Sequence, residues 1–257
     1  IPWKNLIMTE DKSKSLAIPQ NNSLARVEKS IAITNKLLST IDDTVTDIDG
    51  NVYKTVRIGD QIWMTENLKV THYRNGDLIP TGYNDEEWAN LNVGAYCFYN
   101  DDPKNIDIYG NLYNEYTVED RRGIAPKGWH VPSAEEWIKL VELNCPNESK
   151  AQQWREIHTC YYGGKLKEVG DVHWKPSELT KSNADNESSF TALPGGFRDE
   201  VGGYNALGEV GLFLTRSIID DMRWVLQIFN VSEISLFEVS FTNEPYGCAW
   251  SVRCLKD

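Results

Sequence analysis

The sequence has no long apolar run and an excess of acidic residues. No stretch of about 18 consecutive apolar residues occurs, and this excludes a membrane-spanning helix on the usual length criterion. The 26 Lys and Arg residues are outnumbered by 38 Asp and Glu residues, which gives a formal net charge of -12. Such a charge repels phosphate backbones and anionic membranes. We therefore expect no nucleic-acid partner and no membrane-spanning segment.

The sequence also lacks the spacings that are typical of metal sites. It contains no Cys-x-x-Cys pair and no Cys/His pattern of the kind that binds zinc. The acidic turn Asp47-Ile48-Asp49-Gly50-Asn51 resembles a calcium loop, but it lacks the third carboxylate and the later glutamate of an EF-hand. A plain hairpin turn fits it better. We predict neither a metal nor a cofactor.

The composition is that of a globular, aromatic-rich protein. Of the 257 residues, 40% are hydrophobic, and there are 9 Trp and 12 Tyr residues and no low-complexity tracts. A chain of this length buries roughly 70% of its unfolded surface. We expect one large domain, or one domain with an appendage.

The five cysteines allow more than one arrangement. Cys145 and Cys160 bracket a polar segment, and a bridge between them would close a loop of about 15 residues, worth about 3 kcal/mol. Cys248 and Cys254 lie too far apart to bond if they share one strand, roughly 20 Å, so one of them needs Cys97 or stays unbridged. The alternative is five reduced, buried thiols. The disulfide candidates are Cys145, Cys160, Cys97 and Cys254.

The chain divides near residue 43. Residues 1–22 are polar without a sustained period and indicate an arm or linker. From Leu24 to Ile41 apolar residues, with Thr34 completing the series, recur at alternating steps of three and four after a plausible N-cap, Ser23, which predicts a short heptad helix. This helix either packs on its own domain or joins protomers. We predict an N-terminal arm and helix over residues 1–43 and a second domain over residues 44–257.

Residues 44–257 have the pattern of an α+β domain. Apolar and polar residues alternate after Thr44 around two hairpin signals, Asp49-Gly50 and Gly59-Asp60. From Gly163 onward, short strand-like stretches alternate with glycine-rich turns. Helices are few and lie early, which predicts a mostly antiparallel sheet.

The stretch APKGWHVPSAEEWIKLV, residues 125–141, raises the question of an active site. Ser133 stands three residues before Glu136, as in a capping box, and an apolar helical face follows. His130 has no second histidine or cysteine at ligand spacing. We predict that Trp129 and Trp137 are core residues and that His130 is structural.

Seven blocks, in order, carry a family resemblance: VTDIDGNVYKTVRIGDQIWMTENLK, AYCFYNDD, YGNLYNEY, GIAPKGWHVPSAEEW, GGKLKE, FTALPGGFRD and SVRCLKD. Over about residues 44–257 the chain resembles the Fibrobacter succinogenes major paralogous domain. The resemblance implies a C-type-lectin-like fold, distantly related to formylglycine-generating sulfatase-modifying domains, in secreted or surface proteins of bacteria. It implies no established activity. The chain departs from the family at GLFLTRS, where relatives often carry GYWWSS, and in the segment from Cys145 to Cys160.

A lectin-like scaffold presents variable loops from one face, and here these would fall between Arg198 and Trp250. Side chains there combine aromatic rings with hydrogen-bond acceptors, a composition suited to binding a sugar or a peptide. The ligand-binding candidates are Tyr204, Asp220, Asp221, Trp224, Asn243, Glu244 and Tyr246. The alternative is that most of them fill turns and core edges. Only two residues of the Glu-Pro-Asn motif of calcium-dependent lectins are kept.

Three functions follow from this sequence. The first is a non-enzymatic adhesion module that binds a glycan or a protein at the cell surface. The second is a structural subunit of a surface filament or outer-membrane complex, with residues 1–43 docking on a partner or self-associating. The third is an oxidase like the formylglycine-generating relatives, which would need Cys248 and Cys254 as a reactive pair, and no other catalytic residues are predicted.

The location follows from the resemblance. We expect a position outside the cell or on the outer-membrane surface, and any signal peptide or lipid-anchoring cysteine would lie outside the sequence given. Asp43-Thr44-Val45 also resembles an Asp-Thr-aliphatic O-glycosylation acceptor, which makes Thr44 a glycosylation candidate.

Overall fold

The computed structural model describes residues 44–176, 184–219, 222–231, 234–240 and 247–257. The predicted arm and helix of residues 1–43 lie outside these ranges. No helix within them is long and apolar enough to cross a membrane.

The described chain contains short helices and many strands. The helices are α1 (Asp85–Ala89), α2 (Lys104–Tyr109), α3 (Glu115–Glu119), α4 (Ala134–Leu143) and α5 (Glu148–Ile157). The strands are β1 (Thr44–Thr46), β2 (Val52–Ile58), β3 (Gln61–Met64), β4 (Tyr96–Cys97), β5 (Leu112–Asn114), β6 (Trp129–His130), β7 (Thr159–Cys160), β8 (Phe197–Arg198), β9 (Tyr204–Asn205), β10 (Val210–Ile219), β11 (Met222–Phe229), β12 (Ile234–Ser240), β13 (Ala249–Ser251) and β14 (Leu255–Lys256).

The first sheet has the order β1-β2-β3-β14-β6, and its strand pairs are all antiparallel. The two predicted hairpins are confirmed, since β1, β2 and β3 follow one another through turns at Gly50 and Gly59, both with positive φ. The C-terminal strand β14 inserts between β3 and β6. This sheet therefore joins the last residues of the chain to its first described strands.

The second sheet has the order β4-β5-β13-β10-β11-β12-β7. Strand β8 also pairs with β13, and β9 pairs with β8. Its strand pairs are antiparallel except for β10 with β13. The long β10–β11 hairpin has a register shift between Leu214 and Ile218. The α+β class with mostly antiparallel sheets and few helices is confirmed.

The stretch at residues 125–141 is a folding element, as predicted. The Ser133 side chain accepts a hydrogen bond from the Glu136 N–H, and the Glu136 carboxylate accepts one from the Ser133 N–H, so the capping box is formed. Trp137, on the buried face of α4, is fully enclosed, and Trp129 is 6% exposed. Both tryptophans are core residues.

Trp137 lies in an aromatic cluster between the two sheets. Its ring centroid is 4.6 Å from that of Trp63 on β3 and 5.4 Å from that of Phe213 on β10. Phe190, from the loop before β8, packs edge-on against both tryptophans. One helix side chain thus touches residues of both sheets.

The predicted disulfides are corrected by the structure, in which none of the five cysteines is bridged. Cys97 packs in a small cluster with Trp88 and Leu112, whereas Cys254 packs in a different cluster. Cys145 donates its thiol hydrogen to the carbonyl of Val141 at 3.4 Å, and Cys160 lies on β7. The alternative of reduced thiols therefore describes these cysteines, and packing and strand pairing hold their segments in place of disulfides.

Candidate functional site

Tyr204, a predicted ligand residue, lies on β9 beside a tight turn. The turn joins β8 to β9, and the Asp199 carboxylate accepts hydrogen bonds from the N–H of Val201, from that of Gly203 and from the Asn205 side chain. At Gly202, φ is +93° and an added Cβ would come within 2.5 Å of the Asp85 Cα. Only glycine permits this close approach of the turn to α1.

The buried side chain of Arg198 forms a hydrogen bond with this turn. Its guanidinium is 1% exposed and donates to the carbonyls of Gly202 and Tyr83 and to the Asp85 carboxylate. The guanidinium carbon lies 4.4 Å from the Trp88 ring centroid and 5.0 Å from that of Tyr204. A desolvated cation against an aromatic face contributes about 2 kcal/mol. Arg198 therefore joins the ring of Tyr204 to Trp88 and to the turn at Gly202.

The Tyr204 hydroxyl is bonded to an exposed carboxylate. It donates to the Asp101 carboxylate at 2.8 Å, and its ring lies 5.4 Å from that of Tyr99. Burial, the nearby Cys97 and the bond to Asp101 raise the pKa of Tyr204 well above its usual value. The phenol is therefore neutral and acts as a hydrogen-bond donor. Half-buried Tyr204 and exposed Asp101 and Asn205 form what we call the Tyr204 face.

Trp224 does not join this face. Trp224 is on β11, packs against the cluster of Trp137, and contacts the His158 ring edge-on. Tyr204 instead packs against the small cluster of Trp88 and Cys97, and among the described strands β9 pairs only with β8. The other ligand candidates, Asp220, Asp221, Asn243, Glu244 and Tyr246, lie outside the described residues.

His130 is held between two carboxylates. Its Nδ1 lies 2.7 Å from the Asp257 Oδ1, and its Nε2 lies 3.0 Å from the Glu136 Oε1. The bond to Glu136, with that to Asp257, raises the pKa of His130 against the opposing effect of burial. A histidine bonded through both nitrogens to carboxylates is stabilised in its charged form and is a poor general base.

The acidic turn at residues 47–51 uses its carboxylates internally. Asp47 accepts from the N–H of Asp49 and Asn51, from the Asn51 amide and from the Tyr53 hydroxyl. Asp49 accepts from the Thr71 N–H and hydroxyl and is bonded to the His72 ring. The turn is a hairpin as predicted. Within the described ranges no group of three or more His, Cys, Asp or Glu residues is arranged to hold a metal ion.

Glu115 is the first residue of α3, and its burial was not predicted from the sequence. Its side chain is fully buried, and neither carboxylate oxygen has a hydrogen-bond partner among the described residues. Burial raises the pKa of Glu115 to about 8, and the nearby Arg223 opposes the shift. Arg223 itself is committed to Glu119 and to the carbonyl of Thr215. A glutamate directly after the helix-capping Asn114 is usually exposed, so no local pattern marks this burial.

We expect Glu115→Gln to remove a pH-dependent loss of stability. The folded-state pKa of Glu115, about 8, lies above its ordinary value of 4.5, so the folded state binds the proton more tightly. Stability is then full below pH 4.5 and falls as the pH rises toward 8, by about 1.4 kcal/mol for each unit between the two pKa values. Urea unfolding at pH 5 and pH 9 measures this, with Glu135→Gln, at an exposed position of α4, as a control. Equal pH dependence in the wild type and Glu115→Gln would contradict it.

These features define a domain of the α+β class, built on mostly antiparallel sheets with buried arginines between its elements. The sequence model of the Fibrobacter succinogenes major domain matches residues 56–256, and the chain belongs to this family. No curated protein and no solved structure matches it.

Proposed function

We propose that this chain is a non-enzymatic binding or adhesion module, extracellular or on the outer-membrane surface, and that its ligand contacts the Tyr204 face. The observation that carries the proposal is that buried Arg198 bonds to the turn beside this face and packs against the Tyr204 ring. Preorganised aromatic and polar groups bind with less loss of conformational entropy. The ligand is a glycan or a protein.

The charge of the face restricts the ligand. The exposed Asp101 carboxylate accepts a hydrogen bond from Tyr204, the exposed Asp85 carboxylate pairs with Arg198, and the whole chain has a net charge of -12. Carboxylates repel anionic ligands and accept hydrogen bonds from hydroxyl and amino groups. A neutral glycan or a basic segment of a protein fits these groups better than an anionic ligand does.

The oxidase alternative has less support. A nucleophilic cysteine needs a lowered pKa, whereas burial raises the pKa of Cys254 and, together with Glu115 and Glu200, that of Cys248. Cys254 is fully enclosed in the core. The accessory-subunit alternative depends on residues 1–43, and it stays a prediction, as does glycosylation of Thr44, whose side chain is exposed on β1.

The full chain on a glycan array, and as bait in a pull-down from surface proteins, tests the proposal. We expect Tyr204→Ala to weaken binding of the ligand found by at least about tenfold, since it removes the ring and the hydroxyl, and Asp101→Asn to weaken it less. Tyr161→Ala is the matched control, because Tyr161 is exposed next to β7, at the other end of the sheet. His130→Ala should also leave binding intact.

Two results would sink the proposal. One is a wild-type chain that retains neither a glycan nor a protein. The other is binding that survives Tyr204→Ala but is lost in His130→Ala with folding matched, since the stretch at residues 125–141 would then be the functional site.

A further inference from the structure

A second surface, away from Tyr204, has the properties of a binding site. A cleft of about 280 Å³ opens between the β1–β2 turn and the segment before β6. Its lining combines apolar and cationic side chains, from Thr46, Asp47, Ile48, Arg74, Ile124, Ala125, Pro126 and Lys127. This volume is at the small end for ligand pockets, and suits one or two residues of a peptide.

Arg74 is a preorganised cation at this cleft. Its Nε donates to the carbonyl of Ala125 at 3.0 Å, and one Nη donates to that of Trp129 at 3.2 Å. These bonds use two of the five guanidinium N–H groups. Among the described residues no carboxylate forms an ion pair with Arg74. A guanidinium fixed in this way retains donors and an unneutralised charge for a ligand.

Lys127 adds a second positive charge. It is exposed, and no described carboxylate pairs with it. The negative charge of Asp47, which also lines the cleft, is already shared among its internal donors, including the Tyr53 hydroxyl at 2.6 Å. Arg74, held by two hydrogen bonds, and Lys127 line the same small cleft. Their charges favour binding of an anionic group there, although the protein as a whole is strongly acidic.

The other walls favour an aliphatic side chain. Ile48 is 48% exposed, whereas Ile124 and Ala125 are buried below it. None of the eight lining residues is aromatic, so the cleft has no ring on which a sugar could stack. The cationic and apolar groups together match a carboxylate attached to an aliphatic body.

The edge strand next to the cleft supplies main-chain hydrogen bonds. Strand β1 is the end strand of its sheet, and among the described strands only β2 pairs with it. Thr46, the last residue of β1, lines the cleft. An extended peptide that adds to an open sheet edge gains backbone hydrogen bonds, and its side chains enter adjacent pockets.

We propose that this cleft binds the C-terminal residue of an extended peptide chain. The terminal carboxylate contacts Arg74 and Lys127, the last aliphatic side chain packs on Ile48 and Ile124, and the preceding residues pair with β1. This site is separate from the Tyr204 face, and it does not depend on the function proposed for that face.

The full-length chain and a pair of pentapeptides test this inference. The probes are acetyl-Gly-Ser-Thr-Val-Ile with a free carboxylate and the same peptide with a C-terminal amide. The readouts are titration by fluorescence anisotropy with a labelled peptide and the methyl NMR shifts of labelled isoleucines. We expect the free acid to bind, to shift the methyl signals of Ile48 and Ile124, and to exceed the amide by at least about tenfold in affinity.

Substitutions locate the contact. Lys127→Glu reverses an exposed charge that makes no ion pair among the described residues, and we expect it to weaken the free acid by about tenfold or more. Lys104→Glu, an equal change of charge on α2, is the matched control and should bind like the wild type. Tyr204→Ala should also bind like the wild type, which separates this test from that of the proposed function.

The inference is overturned if the acid and the amide bind equally, if Lys127→Glu binds like Lys104→Glu, or if neither peptide binds at about 1 mM. It is also overturned if a uronic-acid oligosaccharide shifts the Ile48 and Ile124 methyl signals and the peptides do not. In that case the cleft would recognise carboxylated sugars.

Discussion

Trp137→Ala is expected to unfold the domain or to lower its free energy of unfolding by about 3 to 5 kcal/mol. The indole is fully enclosed and packs against Trp63, Phe190 and Phe213, so it joins α4 to both sheets. Alanine would leave a cavity that backbone elements from two sheets cannot close. The loss is a large part of a typical total stability of about 5 to 15 kcal/mol.

Urea unfolding followed by tryptophan fluorescence and far-UV circular dichroism measures this change. Ser133→Ala is the control in the same helix, and it should cost only about 1 kcal/mol, because it removes one capping bond at the start of α4. The loss of stability in Trp137→Phe should lie between those of Ser133→Ala and Trp137→Ala. If Trp137→Ala were no less stable than Ser133→Ala, the aromatic cluster would not be the centre of the core.

Arg253→Met is expected to destabilise the domain by about 3 kcal/mol or more. Arg253 lies between β13 and β14, is fully buried, and donates to the Asn67 side chain at 2.8 Å and to the carbonyl of Phe190 at 2.5 Å. Its guanidinium carbon also lies 4.4 Å from the Phe190 ring centroid. Methionine would fill the space but leave these two acceptors without donors.

The same urea titration tests this prediction. Arg253→Lys keeps the charge but cannot make the forked bonds, and burial already lowers the pKa of Arg253 to about 9, so a lysine there would be still harder to ionise. We therefore expect Arg253→Lys to be nearly as unstable as Arg253→Met. A Met variant as stable as the wild type would mean that hydrophobic packing, and not hydrogen bonding, is what this position requires.

Local elements were predictable because their causes are local. The capping box needs only Ser133 and Glu136 at their spacing, and the first hairpin needs only Asp49-Gly50 between alternating strands. The core position of Trp137 followed from its spacing to Leu140 and Val141 on one helical face.

The candidate site was predictable only in part. Sequence composition singled out Tyr204 and Trp224 together, but in the structure they pack against different core clusters. Arg198, which packs against the Tyr204 ring, was missed because an arginine in a loop-rich segment is ordinarily exposed. Its burial depends on Trp88 and Asp85, more than a hundred positions earlier in the chain.

The sequence by itself thus determined the family, the α+β class, the hairpins and the helix that begins after Ser133, since each depends on residues a few positions apart or on an ordered set of motifs. Only the tertiary structure decided which charged side chains are buried, that Cys97 and Cys254 lie in different clusters, and where Arg74 and Lys127 border a cleft. The reason is distance along the chain. Arg253 is stable in the core because Asn67, 186 positions away, accepts its hydrogen bonds, and no local pattern specifies such a partner.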